Sequence, residues 1–164
     1  MHPRSLEGTF SIAAFDPSNG DLGIAVQSRF IAVGGVVPWA KANVGAIATQ
    51  AWANVSYGSR GLELLESGRS AKQVLTELIE SDEKREVRQV GIVDARGEVA
   101  AFTGKECMEW AGHVVGDHYC CQGNILVSQA TVEEMAKAFE VTKGDLIDKL
   151  LASLEGGQRA GGDR

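Results

Sequence analysis

The chain has 164 residues, 44% hydrophobic and 23% charged, which fits one globular domain with its own core and argues against disorder. Lys and Arg number 16 against 22 Asp and Glu, a formal net charge of −6, so the chain lacks the basic footprint of a nucleic-acid binder and is repelled by anionic membranes. The longest apolar run, Ile31 to Ala40, is broken by Gly34, Gly35 and Pro38 and falls far short of the roughly 20 residues of a membrane span.

Met1 to Ser5 is not followed by the apolar segment of a signal peptide. Cys107, Cys120 and Cys121 are odd in number and two are adjacent, so no disulfide framework is expected and a reducing cytoplasm is the expected compartment. Glycine supplies 20 of the 164 residues, which suggests turns and closely approaching strands.

The N-terminal half reads as strands. Thr9 to Asp16 is apolar and β-leaning, and Pro17-Ser18-Asn19-Gly20 closes it with turn chemistry. Leu22 to Ser28 alternates, so the two predict a hairpin. Val36 to Ala40 and Val44 to Gln50, separated by Lys41-Ala42-Asn43, predict a second. Residues 59 to 67 read as a helix ending at Gly68. Ser70 with Gln73 forms a capping-box pattern ahead of a stripe of Val74, Leu75, Leu78 and Ile79. Val87 to Asp94 and Val99 to Thr103 flank a turn at Ala95-Arg96-Gly97. His113 to Gly116 and Tyr119 to Gly123 read as two short strands.

Thr131 with Glu134 predicts a capped helix burying Val132, Met135, Ala136 and Phe139, and Leu146 to Leu154 predicts another. Residues 156–164 are polar and glycine-rich and read as loop. The division is an extension over 1–8, one domain over 9–155 and a tail over 156–164. Strands, two helices, strands, two helices predict an α+β fold of face-to-face sheets with helices outside.

Local motifs are silent. The chain has no Walker loop, no G-x-G-x-x-G, no H-E-x-x-H and no C-x-x-C. His113, His118, Cys120 and Cys121 are enough soft ligands for zinc, but adjacent cysteines on a strand face opposite ways, so a rim imidazole and a buried thiol are the better reading. No metal and no cofactor is expected. Trp39, Trp52 and Trp110 read as packing residues.

A wider pattern is more telling. Thr9-Phe10-Ser11-Ile12-Ala13-Ala14-Phe15-Asp16, Gly23-Ile24-Ala25-Val26-Gln27-Ser28, Gly35-Val36-Val37-Pro38-Trp39-Ala40, Ala48-Thr49-Gln50-Ala51, Val87-Arg88-Gln89-Val90-Gly91 and Gln122-Gly123-Asn124-Ile125-Leu126 together resemble the DUF1028 family, placed in the N-terminal-nucleophile (Ntn) hydrolase superfamily. The resemblance spans residues 9–164. It implies a four-layer αββα sandwich, and it leaves open that closing strands lie beyond Arg164. Members of that superfamily are mostly amide hydrolases, so it implies cleavage of a small amide or ureide-like substrate.

Such an enzyme begins its mature chain with Thr, Ser or Cys and uses its own α-amine, which titrates near 7.7–8.0, as the base. Thr9 is the residue the resemblance points to, because Gly8-Thr9 resembles a self-processing junction. Lys41, 32 positions beyond Thr9, resembles the proteasomal catalytic lysine, although Gln27 stands where the proteasomal acid would be. Asn54 and Asn124 are the candidate oxyanion donors. All four have plainer readings: a strand start, a solvated charge and two turn residues. Thr9 is expected in a cleft beside the Lys41 turn, the Trp52-Ala53-Asn54 stretch and the Gly123-Asn124 turn. A non-catalytic binding or assembly module on the same fold is the alternative. Phe30, Ile31, Val33, Val36 and Val37 supply apolar surface for a homodimer or a higher oligomer.

Overall fold

The computed structural model describes residues 7–164. Its fold is mixed α+β, with two four-stranded antiparallel sheets and four α-helices. Strands β1 (Thr9–Phe15) and β2 (Leu22–Ser28) form the first hairpin, with Thr9 opposite Ser28. Asp16 pins its turn: Oδ1 accepts from the Ser18 amide at 2.9 Å and the Ser18 hydroxyl at 2.6 Å. Strands β3 (Pro38–Lys41) and β4 (Gly45–Ala51) form the second, turning through Asn43 in the left-handed region at φ 61°. Asparagine tolerates that region well.

Helices α1 (Ser56–Glu66) and α2 (Ala71–Glu80) follow, and α2 carries the expected capping box between Ser70 and Gln73. Then come β5 (Arg88–Asp94), β6 (Val99–Thr103), β7 (Gly112–Gly116) and β8 (Tyr119–Asn124), and helices α3 (Ala130–Val141) and α4 (Leu146–Arg159). The sheet orders are β2-β1-β8-β7 and β3-β4-β5-β6. No helix among the described residues is long and apolar enough to cross a membrane.

Alternation along each strand sorts side chains between two faces. From β1 and β8, Phe10, Ile12, Ala14 and Cys121 pack against Val132, Met135, Leu146 and Leu150 of α3 and α4. From β4 and β5, Ile47, Val90 and Ile92 pack against Tyr57, Leu65, Val74 and Leu78 of α1 and α2. The inner faces meet through Ala13, Ala46, Val93, Val99 and Cys120. These are small side chains, so the sheets lie close, and Gly91 marks the tightest approach: a methyl group there would overlap Gln122 Oε1 and Cys120 Sγ.

Two expectations are corrected. Thr131 does not cap α3. The residue in the cap position is Gln129, and Thr131 is fully buried with its hydroxyl 3.5 Å from the Gly162 carbonyl. Residues 156–159 are helical, since α4 runs to Arg159 with Gly156 and Gly157 buried. A side chain at Gly156 would meet the Glu134 carbonyl at 2.6 Å, and one at Gly157 would meet Met135 Cγ at 2.7 Å. The glycines let α4 lie tight on α3, and that packing outweighs their poor helix propensity.

Candidate active site

At the Thr9 end, the space between the sheets turns from apolar to polar. Ser11, Gln50, Gln89, Gln122 and Asn124 are all at most 2% exposed and bond to one another across the gap. Ser11 Oγ donates to Gln50 Oε1 at 2.5 Å and accepts from Gln122 Nε2 at 2.7 Å. Gln50 Nε2 donates to Gln89 Oε1 at 2.8 Å and lies 3.5 Å from the Thr9 carbonyl. Gln89 Nε2 stands 2.8 Å from the Gly123 carbonyl, 3.1 Å from the Gly112 carbonyl and 2.9 Å from Thr103 Oγ1. Gln122 Oε1 alone in this network has no partner among the described residues, and the remaining bonds rigidify what they hold. What they hold is the start of β1.

Thr9 lies at the mouth of this network, 7% exposed, on the floor of a cleft of about 240 Å³. Phe30, Val33, Val36, Val37 and Trp52 give the cleft an apolar wall, and Glu7, Gln50 and Arg88 supply its polar groups. Thr9 Oγ1 donates to Ser28 Oγ at 3.1 Å, and Ser28 Oγ donates in turn to the Gly8 carbonyl at 2.7 Å and accepts from the Phe30 amide at 3.0 Å. One serine therefore touches both sides of the Gly8–Thr9 junction. Gly8 is buried beside Asp163, whose Oδ2 is 3.7 Å from Arg29 Nε. Two strands leave the site through left-handed non-glycine residues, Ala51 at φ 64° and Ile125 at φ 55°. Such backbone costs about 1–3 kcal/mol per residue and collects at functional sites.

Arg88, opposite Ala51 in the β4–β5 register, forms one wall of the cleft. Its Nε donates to Asp82 Oδ2 at 2.9 Å and its Nη1 to the Trp52 carbonyl at 2.5 Å. Asp82 is a hub that also accepts from Asn54 Nδ2 at 3.2 Å, the Tyr57 hydroxyl at 3.0 Å and the Lys84 amide at 2.8 Å. Burial alone would raise the Asp82 pKa. The Lys84 amide, Arg88, Asn54 and Tyr57 outweigh it and hold the carboxyl at about 2 against an ordinary 3.8. The folded-state value is depressed, so this contribution is complete above pH 3.8 and lost as pH falls through about 2. Between those limits the wild type loses stability in urea titrations, whereas Asp82→Asn loses less over the same range, since Asp16 and Glu98 still titrate, and is about 2 kcal/mol less stable at neutral pH.

The candidate residues divide. Thr9 and Asn124 are register partners across β1 and β8, and Asn124 Nδ2 donates to Gln89 Oε1 at 3.1 Å. The Trp52-Ala53 stretch borders the cleft, but the Asn54 side chain turns away to Asp82 and to Ser56. Lys41 is not near Thr9, which corrects that expectation. It pairs with Gly45, five residues along β4 from Gln50, or roughly 17 Å, and forms an exposed 2.5 Å ion pair with Glu66. Gln27 faces the helices rather than the gap, because it pairs with Phe10 and not with Thr9. Among Phe30, Ile31, Val33, Val36 and Val37, all but Ile31 line the cleft. Ser28, Gln50, Arg88, Gln89 and Gln122 lie in the segments that carry the resemblance but were given no site role, and Asp82 was not singled out. For the three glutamines the local signal was a buried-looking amide side chain within a largely apolar strand.

Cys120 points between the sheets and Cys121 toward α3 and α4, while His118 Nδ1 donates to the Gly97 carbonyl at 3.1 Å. Among the described residues no group of three or more His, Cys, Asp or Glu is arranged to hold a metal ion. Burial pushes the Cys120 thiol up to about 12 and raises Cys121 as well. Iodoacetamide at pH 8 therefore leaves both unlabelled in the native protein and modifies both in urea, as peptide mass mapping will read.

A mixed α+β protein with two facing sheets, and a cleft over a buried polar network where their strands end, is the class defined by this geometry. The chain belongs to DUF1028, a family of unknown function that matches residues 9–164. It is similar to the crystal structure of protein SPO2555 from Silicibacter pomeroyi, described as a DUF1028 protein, with a TM-score of 0.90 and 32% identity over 94% of this chain and 69% of that one. No curated protein matches it.

Proposed function

We propose that the protein is an Ntn-type amide hydrolase of αββα architecture whose nucleophile is Thr9, released by cleavage of the Gly8–Thr9 bond. The observation that carries this reading is Ser28 Oγ, which bridges the Thr9 hydroxyl and the Gly8 carbonyl within one cleft. Self-cleavage would run in two balanced steps. The Thr9 hydroxyl adds to the Gly8 carbonyl carbon while Ser28 donates to its oxygen. The C–N bond then breaks, the acyl group passes to Oγ and the nitrogen takes the proton. Water hydrolyses this ester, leaving a Gly8 carboxylate and a free Thr9 amine.

That amine is then the base for Oγ in the next reaction. Thr9 adds to the substrate amide, the leaving amine departs with a proton, and water clears the acyl-enzyme. Asn124, with one amide proton engaged by Gln89, has a second to offer a developing oxyanion. The cleft's size fits a small amide or ureide-like substrate. A binding module without catalysis is the second reading. It is favoured by the burial of Gly8 against Asp163, which seats the Gly8–Thr9 junction in the fold. Intact-mass spectrometry of the purified chain separates the two: a chain beginning at Thr9 supports the hydrolase, and turnover of an amide by a chain still carrying residues 1–8 removes the α-amine mechanism.

A further inference from the structure

We propose that Arg88 is an anion anchor of the Thr9 cleft, so that the substrate is an amide bearing a carboxylate; this rests on the hydrolase reading for the word substrate, not for the site. Arg88 lines the same cleft as Thr9, and its side chain is only 15% exposed. Asp82 takes Nε and the Trp52 carbonyl takes Nη1, while Nη2 has no acceptor among the described residues. The guanidinium is therefore set in place before a ligand arrives, and little side-chain freedom is left to lose on binding.

The surroundings sharpen its effect. Phe30, Val33, Val36 and Trp52 supply apolar lining to the same cleft, and apolar lining raises the weight of a single charge. Arg88 is the one cationic side chain among the lining residues, in a protein whose formal net charge is −6. The one anionic lining residue is Glu7, which precedes the Gly8–Thr9 bond. While that bond is intact, the cleft holds one carboxylate of its own. Once it is cut, the segment carrying Glu7 is no longer covalently held, and a free α-amine appears at Thr9. Maturation thus removes the one carboxylate that lines the cleft and leaves Arg88, already seated on Asp82, as its cationic lining residue. The apolar wall leaves room for a hydrophobic group beside the carboxylate.

The test measures binding without turnover, in the full-length Thr9→Ala chain, using N-acetyl amino acids with small and aromatic side chains and their carboxamides as paired probes. Calorimetry reads the affinities. The expected result is a preference for the acid over its carboxamide of at least about tenfold, as a charge-assisted contact gives. Arg88→Gln abolishes that preference and Arg88→Lys keeps part of it, with the folded state of each checked by its unfolding transition. Glu7→Gln in the same Thr9→Ala background tightens the acids several-fold and leaves the carboxamides unchanged. No acid preference in any pair, or one that survives Arg88→Gln, overturns the proposal. Failure of the hydrolase reading is separate: an Arg88-dependent acid preference in a protein with no Thr9-dependent turnover leaves the anion site standing and removes the enzyme.

Discussion

With Thr9 as the proposed nucleophile, Thr9→Ala yields a chain that keeps residues 1–8 and loses the proposed amide hydrolysis by at least about 10³-fold, the scale on which removal of a covalent nucleophile acts. The change deletes a hydroxyl with its 3.1 Å bond to Ser28 and a mostly buried γ-methyl, so stability falls by about 1–2 kcal/mol. Intact mass reads the first effect, a turnover assay the second and urea denaturation the third. Thr9→Ser restores both cleavage and turnover in part, since it returns a hydroxyl to the same strand end. A Thr9→Ala chain that is still cut between Gly8 and Thr9, or that hydrolyses the same amides as the wild type, removes Thr9 from the chemistry. Ser28→Ala gives the sharper comparison. It keeps the nucleophile and slows only the cutting of the junction if Ser28 serves the Gly8 carbonyl.

Gln89→Leu has the largest expected effect on stability, a loss of about 3–5 kcal/mol and of roughly 10 °C in Tm. The side chain keeps nearly the same volume, so the loss is one of polar partners rather than of packing. The Gln89 carbonyl oxygen accepts from Gln50 Nε2 and Asn124 Nδ2, and its amide shares two protons among the Gly112 carbonyl, the Gly123 carbonyl and Thr103 Oγ1. Leucine would leave these groups buried with no water to replace the lost bonds, and each orphaned group costs about 1–3 kcal/mol. The same change loosens the floor under Thr9, so catalysis falls even where enough protein remains folded to assay. Equal urea midpoints for wild type and variant would show that the network is dispensable.

These two residues differ in how visible they were. Thr9 could be singled out because it opens a strand behind a glycine, a junction that resembles a self-processing site. Gln89 carried only a faint mark, a polar residue among Val87, Val90, Ile92 and Val93. Its importance arises from Gln50, 39 positions away, and from Gly123, 34 positions away, which reach it only when two sheets close on each other. Nothing in the local pattern states which sheet will face which.

Lys41 shows the same limit from the other side. A spacing of 32 residues from Thr9 suggested a neighbour, yet an antiparallel hairpin reverses the chain, and Lys41 lies at the end of β3 that pairs with Gly45 instead of beside Gln50. Thr131 and Gly156-Gly157 went astray because tertiary packing overrode local preference: burial claimed the threonine, and close contact with α3 made helix out of glycine. By itself the sequence determined the order of strands and helices, the hairpin turns, the cap of α2 and the apolar faces, because each depends on periodicity and turn chemistry within a few residues. Only the tertiary structure decided that Thr9, Ser28, Gln50, Arg88 and Asn124 share one end of the molecule, because that depends on which strands pair, in what register and with which faces inward.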